Sequence, residues 1–341
     1  MKQKKVTFAD IAAYTGFSKT TISRYFNNPD SLTLENQEKI AHALDVLGYQ
    51  ENKLAKVLAN GKSEFVGIII PNLYLHYYSE MLNQLLSTYE KYNYKFLVFI
   101  GNNKKEIEEK YIHELMAYKI EGLIVLSNTI SSEELASYKL PVVTIERVCD
   151  HVCSVSTDNY LGGVQATSLL IRNKCDVILH INSIFPDTLP TYGRIRGFED
   201  ICNEHHVVHE LIQRNLGNTY QETLTQLKNI FNEIEEKYPS QKKGVFLAND
   251  TYASMFLNLI FQKYGKLPKD YQIVGFDDSP IASEAILPIT TVGQQIEKIA
   301  QTAMELLVLQ MNEMKKRKPT PLKEPVHKQI TPVLIRRDTT E

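Results

Sequence analysis

The residues best suited to chemistry are polar side chains that follow short apolar runs or open helical patterns. They are Glu146, Arg147, Thr157, Asp158, Asn159, Arg194, Asn249, Asp250, Asp277, Asp278 and Gln294. Acids, amides and an arginine gathered in one cleft suit a polyhydroxyl ligand, because each hydroxyl of such a ligand can both donate and accept a hydrogen bond. For Asp158, Asp250 and Asp278 an ordinary helix N-cap is the alternative, and the pattern does not decide between the two.

Motifs for catalysis or for cofactors are missing from the sequence, which has no GxGxxG, P-loop, GxSxG or HExxH. We therefore expect neither an enzyme nor a bound cofactor. His205 and His206 lie in a polar stretch and are expected to be solvated. The four cysteines form no CxxC pair, which favours reduced thiols over a metal or redox site.

Composition predicts a folded protein of two or three units. The chain has 341 residues, of which 43% are hydrophobic and 23% are charged, and its net charge is -2. Residues 1–62, however, carry nine lysines and arginines against six acids. This local excess of positive charge suits contact with phosphates, although the net charge of the whole chain is negative. The basic run at residues 315–318 follows a long helical pattern and is interpreted as a solvated helix end, not a second nucleic-acid site.

No targeting or membrane segment is recognisable. The N-terminus MKQKKVTFADIAA lacks a long apolar stretch after its lysines, and the longest apolar runs are of strand length. We therefore expect a soluble, cytoplasmic protein.

The first fifty residues predict three short helices. Thr7 caps the first helix, which ends near Gly16, and Ser18 caps a second helix over residues 19–26. The third helix follows Thr33, carries apolar residues at helical spacing and stops at Gly48. Three short helices with a tight glycine turn between the first two form a helix-turn-helix unit.

The second of these helices has a surface suited to DNA. Lys19, Thr20, Ser23 and Arg24 are small and polar or basic. Ile22 and Phe26 are apolar and can face inward. A recognition helix reads bases with such side chains and bonds phosphates with its hydroxyls. A solvated surface helix in a small helical domain is the alternative.

Residues 6–27, VTFADIAAYTGFSKTTISRYFN, resemble without a gap the opening of the lactose-repressor (LacI/GalR) family, VTIxDVAxxAGVSxxTVSRxLN. The resemblance implies a sequence-specific transcriptional regulator in which Lys19 and Thr20 read the operator. It makes Arg24 the base-contacting arginine, a residue suited to bidentate bonding with guanine. The predicted DNA-contacting residues are Thr7, Ser18, Lys19, Thr20, Thr21, Ser23, Arg24, Asn27 and Leu58. Tyr25 and Phe26 depart from the family's usual pair, valine and leucine.

Residues 50–62 predict a short linker helix with Leu54, Ala55, Leu58 and Ala59 on one stripe. A helix of this length is not stable alone. An ordinary linker remains an alternative. The segment is similar to the family's hinge helix, and the resemblance implies that Leu58 wedges into a minor-groove step of the operator.

Beyond residue 62, apolar runs alternate with helical patterns. The runs lie at 65–71, 96–100, 122–127, 142–145, 177–181, 245–248 and 273–276, and the helical patterns at 79–93, 105–118, 160–173, 194–206, 220–236 and 251–264. This order predicts parallel sheets covered on both faces, and the number of strands favours two doubly wound lobes. Ligands of such sheets bind beyond the carboxyl ends of the strands, which here is the cleft between lobes.

The sequence thus predicts an all-α helix-turn-helix head joined to an α/β core of two doubly wound parallel-sheet lobes. The expected domains are a head at 1–49, a hinge at 50–62 and a core at 63–341. Within the core we expect a first lobe from 63–160 and 292–323 and a second lobe from 161–291 and 324–341.

The family resemblance continues through the core, in the blocks at 157–163, 194–198, 246–250 and 274–278. It implies a periplasmic-binding-protein-like core whose effector contacts are Tyr77, Tyr78, Glu146, Asn159, Arg194, Asn249, Asp277 and Gln294. Core packing is an alternative for the two tyrosines. Glu146 replaces the commoner aspartate of the family, which leaves the exact ligand open.

The resemblance further implies a homodimer on a near-palindromic operator, acting as a repressor of carbohydrate use. A sugar or sugar derivative is the expected effector, with a purine-like ligand or a protein corepressor as alternatives. Arg194 could equally pair with a sugar acid or a sugar phosphate. A solute-binding protein shares the core fold, but it would need an export signal and no DNA-binding head.

Overall fold

The computed structural model of the protein describes residues 6–50, 63–147, 150–319 and 324–341. The chain divides into two compact units, residues 1–62 and residues 63–341. No helix of the described residues is long and apolar enough to cross a membrane.

The described residues of the first unit, 6–50, form a head of three helices, as the sequence predicts. Its helices are α1 (Phe8–Thr15), α2 (Lys19–Asn27) and α3 (Leu34–Val46), with a 3-10 turn at Pro29–Ser31 between the last two. Gly16 ends α1 with a φ of 74°, a left-handed conformation in which glycine has no steric penalty. This glycine makes the tight turn into α2.

The head has its own apolar core, closed by an aromatic stack. Ile11, Ile22 and Ile40 are fully buried. Phe26 stacks on Phe8 with ring centroids 5.2 Å apart. The family pattern has isoleucine where this chain has Phe8 and leucine where it has Phe26. Both departures introduce an aromatic ring, and the two rings pack against each other.

The described residues of the second unit form twelve strands. They are β1 (Phe65–Ile70), β2 (Lys95–Ile100), β3 (Gly122–Val125), β4 (Val142–Ile145), β5 (Cys153–Thr157), β6 (Val177–Ser183), β7 (His209–Arg214), β8 (Lys243–Leu247), β9 (Tyr271–Asp277), β10 (Thr290–Gly293), β11 (His327–Ile330) and β12 (Val333–Ile335). They form two six-stranded sheets, in the orders β11-β5-β4-β3-β1-β2 and β12-β10-β9-β8-β6-β7. Every neighbouring pair is parallel except β10 and β12.

The helices of this unit cover the two sheets. They are α4 (His76–Ser87), α5 (Tyr89–Tyr92), α6 (Lys105–Ala117), α7 (Ser132–Ser137), α8 (Asn159–Arg172), α9 (Gly193–Glu204), α10 (Tyr220–Lys237), α11 (Asp250–Tyr264), α12 (Pro280–Glu284) and α13 (Ile296–Met314), with a 3-10 turn at Pro190–Tyr192. Apolar clusters lie on both faces of each sheet. The predicted architecture of two doubly wound lobes is therefore confirmed.

The C-terminal segment corrects one sequence expectation. Residues 324–341 were expected in the second lobe, but β11 pairs with β5 in the first sheet, so that assignment is wrong for 327–330. The strand has the sequence HKQI and is mostly exposed at the sheet edge. It therefore has no apolar run to mark it. The pattern expected at 79–93 likewise begins earlier, at His76, and breaks at Thr88.

The chain crosses between the lobes three times, after β5, after β10 and after β11, and hydrogen bonds tie these crossings together. The hydroxyl of Thr157 donates to Gln294 Oε1 at 2.6 Å, which joins the first crossing to the second. The amide of Asp158 donates to the carbonyl of Ile330 at 2.9 Å, which joins the first to the third. The three connections therefore form one hinge region.

Candidate functional site

One face of α2 carries the residues predicted to contact DNA. Lys19, Thr20, Arg24 and Asn27 are exposed, and Ser23 lies half-buried among them. Their spacing places all five on one side of the helix. Asn27 Nδ2 donates to Ser23 Oγ at 3.2 Å. The positively charged side chains remain exposed toward solvent, which is what contact with phosphates and base edges requires.

The other predicted contacts of the head lie at the N-termini of helices. Thr7 donates to the carboxylate of Asp10 from its amide at 2.8 Å and from its hydroxyl at 2.7 Å. Ser18 Oγ accepts from the amide of Thr21 at 3.1 Å, and the two hydroxyls are 2.9 Å apart. These residues therefore have structural roles at helix ends, where backbone amides favour anions. Leu58 lies outside the described residues.

Arg194 is the centre of a buried polar cluster in the core. The first turn of α9 carries it, and the side chain is only 6% exposed. Its Nε donates to Asn159 Oδ1 at 2.8 Å, and its Nη1 donates to the carbonyl of Ala248 at 2.6 Å. Asp277 Oδ1 is 4.0 Å from Nη1, and the guanidinium carbon lies 3.6 Å from the centre of the Phe276 ring. The charge is thus held between a carboxylate, polar acceptors and an aromatic face.

The cluster extends without a break into the first lobe. Gln294 Nε2 donates to Asp277 Oδ1 at 2.5 Å. Glu146 accepts from the amide of Thr157 at 2.6 Å and from Asn159 Nδ2 at 2.9 Å. Because Thr157 also bonds Gln294, the network closes across both lobes at the hinge. The structure therefore brings Glu146, Asn159, Arg194, Asp277 and Gln294 together, and their contact with an effector stays a prediction.

Backbone strain aims two of these side chains. Glu146 directly follows β4 and has a φ of 56°, and Asp277 ends β9 with a φ of 113°. Non-glycine residues rarely adopt positive φ. Each residue turns its carboxylate out of the strand direction and into the network, so the strain places both acids at the carboxyl edges of the sheets.

Tyr77 and Tyr78, at the start of α4, lie near the charged groups of the polar cluster. Their rings meet edge to face with centroids 5.4 Å apart. The Tyr77 hydroxyl is buried and has no hydrogen-bond partner among the described residues. Burial, with the nearby charges of Glu146 and Asp277, raises the pKa of Tyr77. A protonated, unpartnered hydroxyl at this place costs about 1–3 kcal/mol unless a ligand satisfies it.

The remaining acids separate into caps and structural partners. Asp158 caps α8 by accepting from the amide of Leu161 at 3.0 Å. Asn249, predicted to contact the effector, caps α11 by accepting from the amide of Tyr252 at 2.8 Å. Asp278 pairs with Arg337 at 2.6 Å. The sequence left an N-cap as the alternative role for Asp158, Asp250 and Asp278. Of these three, Asp158 takes that role.

Asp250 is neither a cap nor a surface acid. It is fully buried and accepts from the amide of Ser279 at 2.8 Å, from its hydroxyl at 3.1 Å and from the hydroxyl of Thr291 at 2.6 Å. The carboxylate thus fastens β10 and the segment after β9 to the start of α11. It supports the Asp277 strand from behind.

Two features near the site gave no signal in the sequence. His76 joins the lobes, since its amide and its Nδ1 both lie 3.0 Å from Thr251 Oγ1. His180 stacks on Phe246 with centroids 4.3 Å apart, and burial lowers its pKa to about 3. Both contacts join residues distant in the chain, so no local pattern could reveal them. The described residues hold no cluster of His, Cys, Asp and Glu fit for a metal ion.

Two family models match this chain, one in the head and one in the core. The family described as "Bacterial regulatory proteins, lacI family" matches residues 7–52, and "Periplasmic binding protein-like domain" matches residues 168–340. The sucrose operon repressor of Streptococcus mutans is 26% identical over 303 residues, which cover 88% of this chain and 91% of that one.

Two solved structures are similar. A periplasmic binding protein/LacI transcriptional regulator from Alkaliphilus metalliredigens, in complex with D-xylulofuranose, is 26% identical with a TM-score of 0.69, covering 82% of this chain and 100% of its own. The Lac repressor dimer bound to operator and the anti-inducer ONPF has a TM-score of 0.81 at 21% identity and covers 99% of both chains. The similarity to the Lac repressor dimer is a similarity of fold.

A helix-turn-helix head with an exposed polar face and a two-lobed core with an enclosed polar site define a DNA-binding transcriptional regulator, not an enzyme. The chain belongs to the lacI family of bacterial regulatory proteins.

Asp250→Asn is expected to weaken the pH dependence of stability. Burial raises the pKa of Asp250 to about 7, against about 3.9 in an unfolded chain. The folded protein therefore binds this proton more tightly. The stability contributed by the raised pKa is complete below about pH 4 and is lost as the pH rises through about 7.

Thermal unfolding at about pH 5 and about pH 8 measures this effect. The fall in melting temperature from about pH 5 to about pH 8 should be smaller in Asp250→Asn than in the wild type. Part of the fall should remain in the variant, because burial also raises the pKa of Asp277. The exposed Asp187→Asn is the control and should behave as the wild type. An unchanged fall in Asp250→Asn would show that Asp250 titrates normally in the folded protein.

Proposed function

We propose that this regulator is a cytoplasmic repressor of a carbohydrate-utilisation operon, released or engaged by a small polyhydroxyl effector bound between the core lobes. Family membership and the relative named as a sucrose operon repressor support the repressor role. A related structure contains D-xylulofuranose, which supports a sugar-like effector.

The observation that carries the effector role is the buried Tyr77 hydroxyl, for which the described part of the chain offers no hydrogen-bond partner. It lies where the charges of Glu146, Asp277 and Arg194 all act on it. Proteins rarely bury a hydroxyl unsatisfied, and such groups point to an absent ligand or water. One sugar hydroxyl could accept from Tyr77 and donate to one of the two carboxylates, and a second hydroxyl of the same sugar could donate to the other.

The hinge explains how a ligand at this site could act on DNA binding. Thr157 and Gln294 belong both to the polar network and to the lobe crossings. A ligand that reorganises the network therefore favours one lobe arrangement over another. Differential affinity for two arrangements is all that control requires, and coupling of about 1–3 kcal/mol is typical.

Tyr77→Phe is expected to reduce effector affinity about 2- to 10-fold, the value of one hydrogen bond. Stability should be kept or raised, because the variant removes a buried hydroxyl that bonds none of the described residues. Titration calorimetry with an effector found by thermal-shift screening of sugars measures the affinity, and thermal unfolding of the free protein measures the stability. The exposed Tyr118→Phe is the control and should change neither. Unaltered affinity in Tyr77→Phe would remove Tyr77 from the effector site.

Arg24→Ala is expected to reduce operator affinity about 10- to 100-fold and to relax the base preference at one position in each half-site. The operator is first obtained by selecting bound duplexes from a random library, and gel-shift titration then measures the affinity. Arg172→Ala, which removes an exposed arginine from the core, is the control. An affinity and selected sequence identical to the wild type would contradict the recognition role of α2.

A surface groove on the second lobe supports a homodimer. It has a volume of about 400 Å³ and is lined by Tyr220, Leu224, Met255, Asn258, Leu259, Phe261, Gln262, Gly265 and Ile286. Tyr220 and Ile286 are 49% and 59% exposed. Large exposed apolar groups around one groove are typical of a protein interface. A two-fold dimer would cover this groove in both copies and match a near-palindromic operator.

Ile286→Asp is expected to convert the dimer to monomers, because the interface would bury a charge without a partner. Sedimentation velocity at micromolar protein measures the change. Leu309→Asp alters a residue of similar exposure, 65%, on α13 and should remain dimeric. Dimers of equal strength in Ile286→Asp and in the wild type would exclude this groove as the interface.

A further inference from the structure

We infer that the effector is an uncharged polyhydroxyl molecule and that the site discriminates against sugar acids and sugar phosphates. The inference rests on the proposed effector role of the site between the lobes. Arg194 alone does not decide between a neutral and an anionic ligand, since a buried guanidinium is also a common partner of carboxylates and phosphates.

The charges around the site do not favour an anion. Among the described residues of the network, Arg194 is the one cation, and it faces the carboxyls of Glu146 and Asp277 with Asp250 behind them. His180, which lies under the cluster, is neutral because burial lowers its pKa to about 3. An incoming anion would therefore meet more carboxyl groups than cations in a buried space, where charges are weakly screened.

The neighbouring cation does not change this balance. Arg147 lies just beyond Glu146, and its Nη1 donates to the carbonyl of Ser127 at 3.4 Å. The fully buried carboxylate of Glu108 lies beside the same residue and accepts from the hydroxyl of Ser127 at 2.5 Å. Arg147 and the carboxyl of Glu108 thus bond the same residue, so this cation too is accompanied by a carboxyl group.

Arg194 is also already engaged. Its Nε and Nη1 bond Asn159 and Ala248, Asp277 balances its charge, and one face of the guanidinium lies on Phe276. A carboxylate or phosphate would have to compete with Asp277 for the same cation. Bidentate bonding of an anion uses two N–H groups of the guanidinium in parallel, and Arg194 already directs two of its five to the protein.

Protonation of the acids leads to the same result. Burial raises the pKa of Asp277 and of Asp250, so both hold protons more tightly than ordinary aspartates. A protonated carboxyl adds no charge to the network, and an ionised carboxyl adds a negative charge. Neither state provides the positive charge that an anionic ligand would need.

Hydroxyl groups suit this lining instead. The carboxyl oxygens of Glu146 and Asp277 can accept from a ligand, while the unpartnered Tyr77 hydroxyl can donate. A neutral hydroxyl satisfies either kind of group without adding charge. The lining therefore recognises the hydroxyls of a sugar and gains nothing from an acidic substituent.

The test compares matched compounds on the full-length protein. The probes are glucose, gluconate and glucose 6-phosphate, ribose and ribose 5-phosphate, and sucrose and sucrose 6-phosphate. Thermal shift and release or gain of operator binding are measured for each. The neutral member of the active set should bind at least about 100-fold more tightly than its charged counterpart, because like charges brought together cost several kcal/mol.

The outcomes separate this inference from the proposed function. A charged member that binds as tightly as its neutral partner, or more tightly, overturns the inference and leaves the proposed effector site standing. If no compound of any set shifts the melting temperature or alters operator binding, both the sugar effector and the inference on its charge are wrong.

Glu146→Gln tests the electrostatic cause, because it removes one negative charge and keeps an oxygen that accepts. The preference for the neutral compound over its phosphate should fall at least about 10-fold. Glu236→Gln, a matched change at an exposed position, should preserve the preference. An unchanged preference in a folded Glu146→Gln protein would overturn the electrostatic explanation, and the wild-type comparison decides the inference even if this variant does not fold.

Discussion

The core depends on the need to compensate one buried guanidinium. Arginine stays charged in proteins, so a side chain only 6% exposed must be given partners by the fold. Asn159, the carbonyl of Ala248, Asp277 and the ring of Phe276 provide them. Two of these partners lie at the ends of elements, Asn159 at the start of α8 and Asp277 at the end of β9. Removal of Asp277 would take away the carboxylate 4.0 Å from this charge.

The same requirement joins the ligand site to the hinge. The partners of Arg194 are themselves bonded to Glu146 and Gln294, and both of these bond Thr157, where the chain first crosses between the lobes. Occupation of the site and the relation between the lobes therefore depend on the same few hydrogen bonds. A ligand does not need a separate pathway to reach the hinge, because it contacts residues that belong to it.

The sequence predicts the elements that carry local signals and fails where the signal is remote. Helix α2 could be predicted from a serine cap and an apolar face, and β4 from a continuous apolar run. Strand β11 is polar and gains its place only by pairing with β5, some 170 residues earlier in the chain. The site followed the same rule. Topology places residues at strand ends close together, but only the fold shows that Asp250 binds Ser279 and Thr291 instead of capping a helix.

The distribution of strain identifies the site independently of any family likeness. Twelve non-glycine residues of the described chain have positive φ, and only Glu146 and Asp277 among them are buried. The other ten lie partly or fully exposed, where solvent can hydrate an irregular backbone. Buried strain of this kind persists only where the surrounding structure imposes it, and it concentrates at functional sites. Here both strained acids act on the same unpartnered hydroxyl, that of Tyr77. Three separate costs to stability thus meet at one place, and a ligand that bonds all three groups would offset them together.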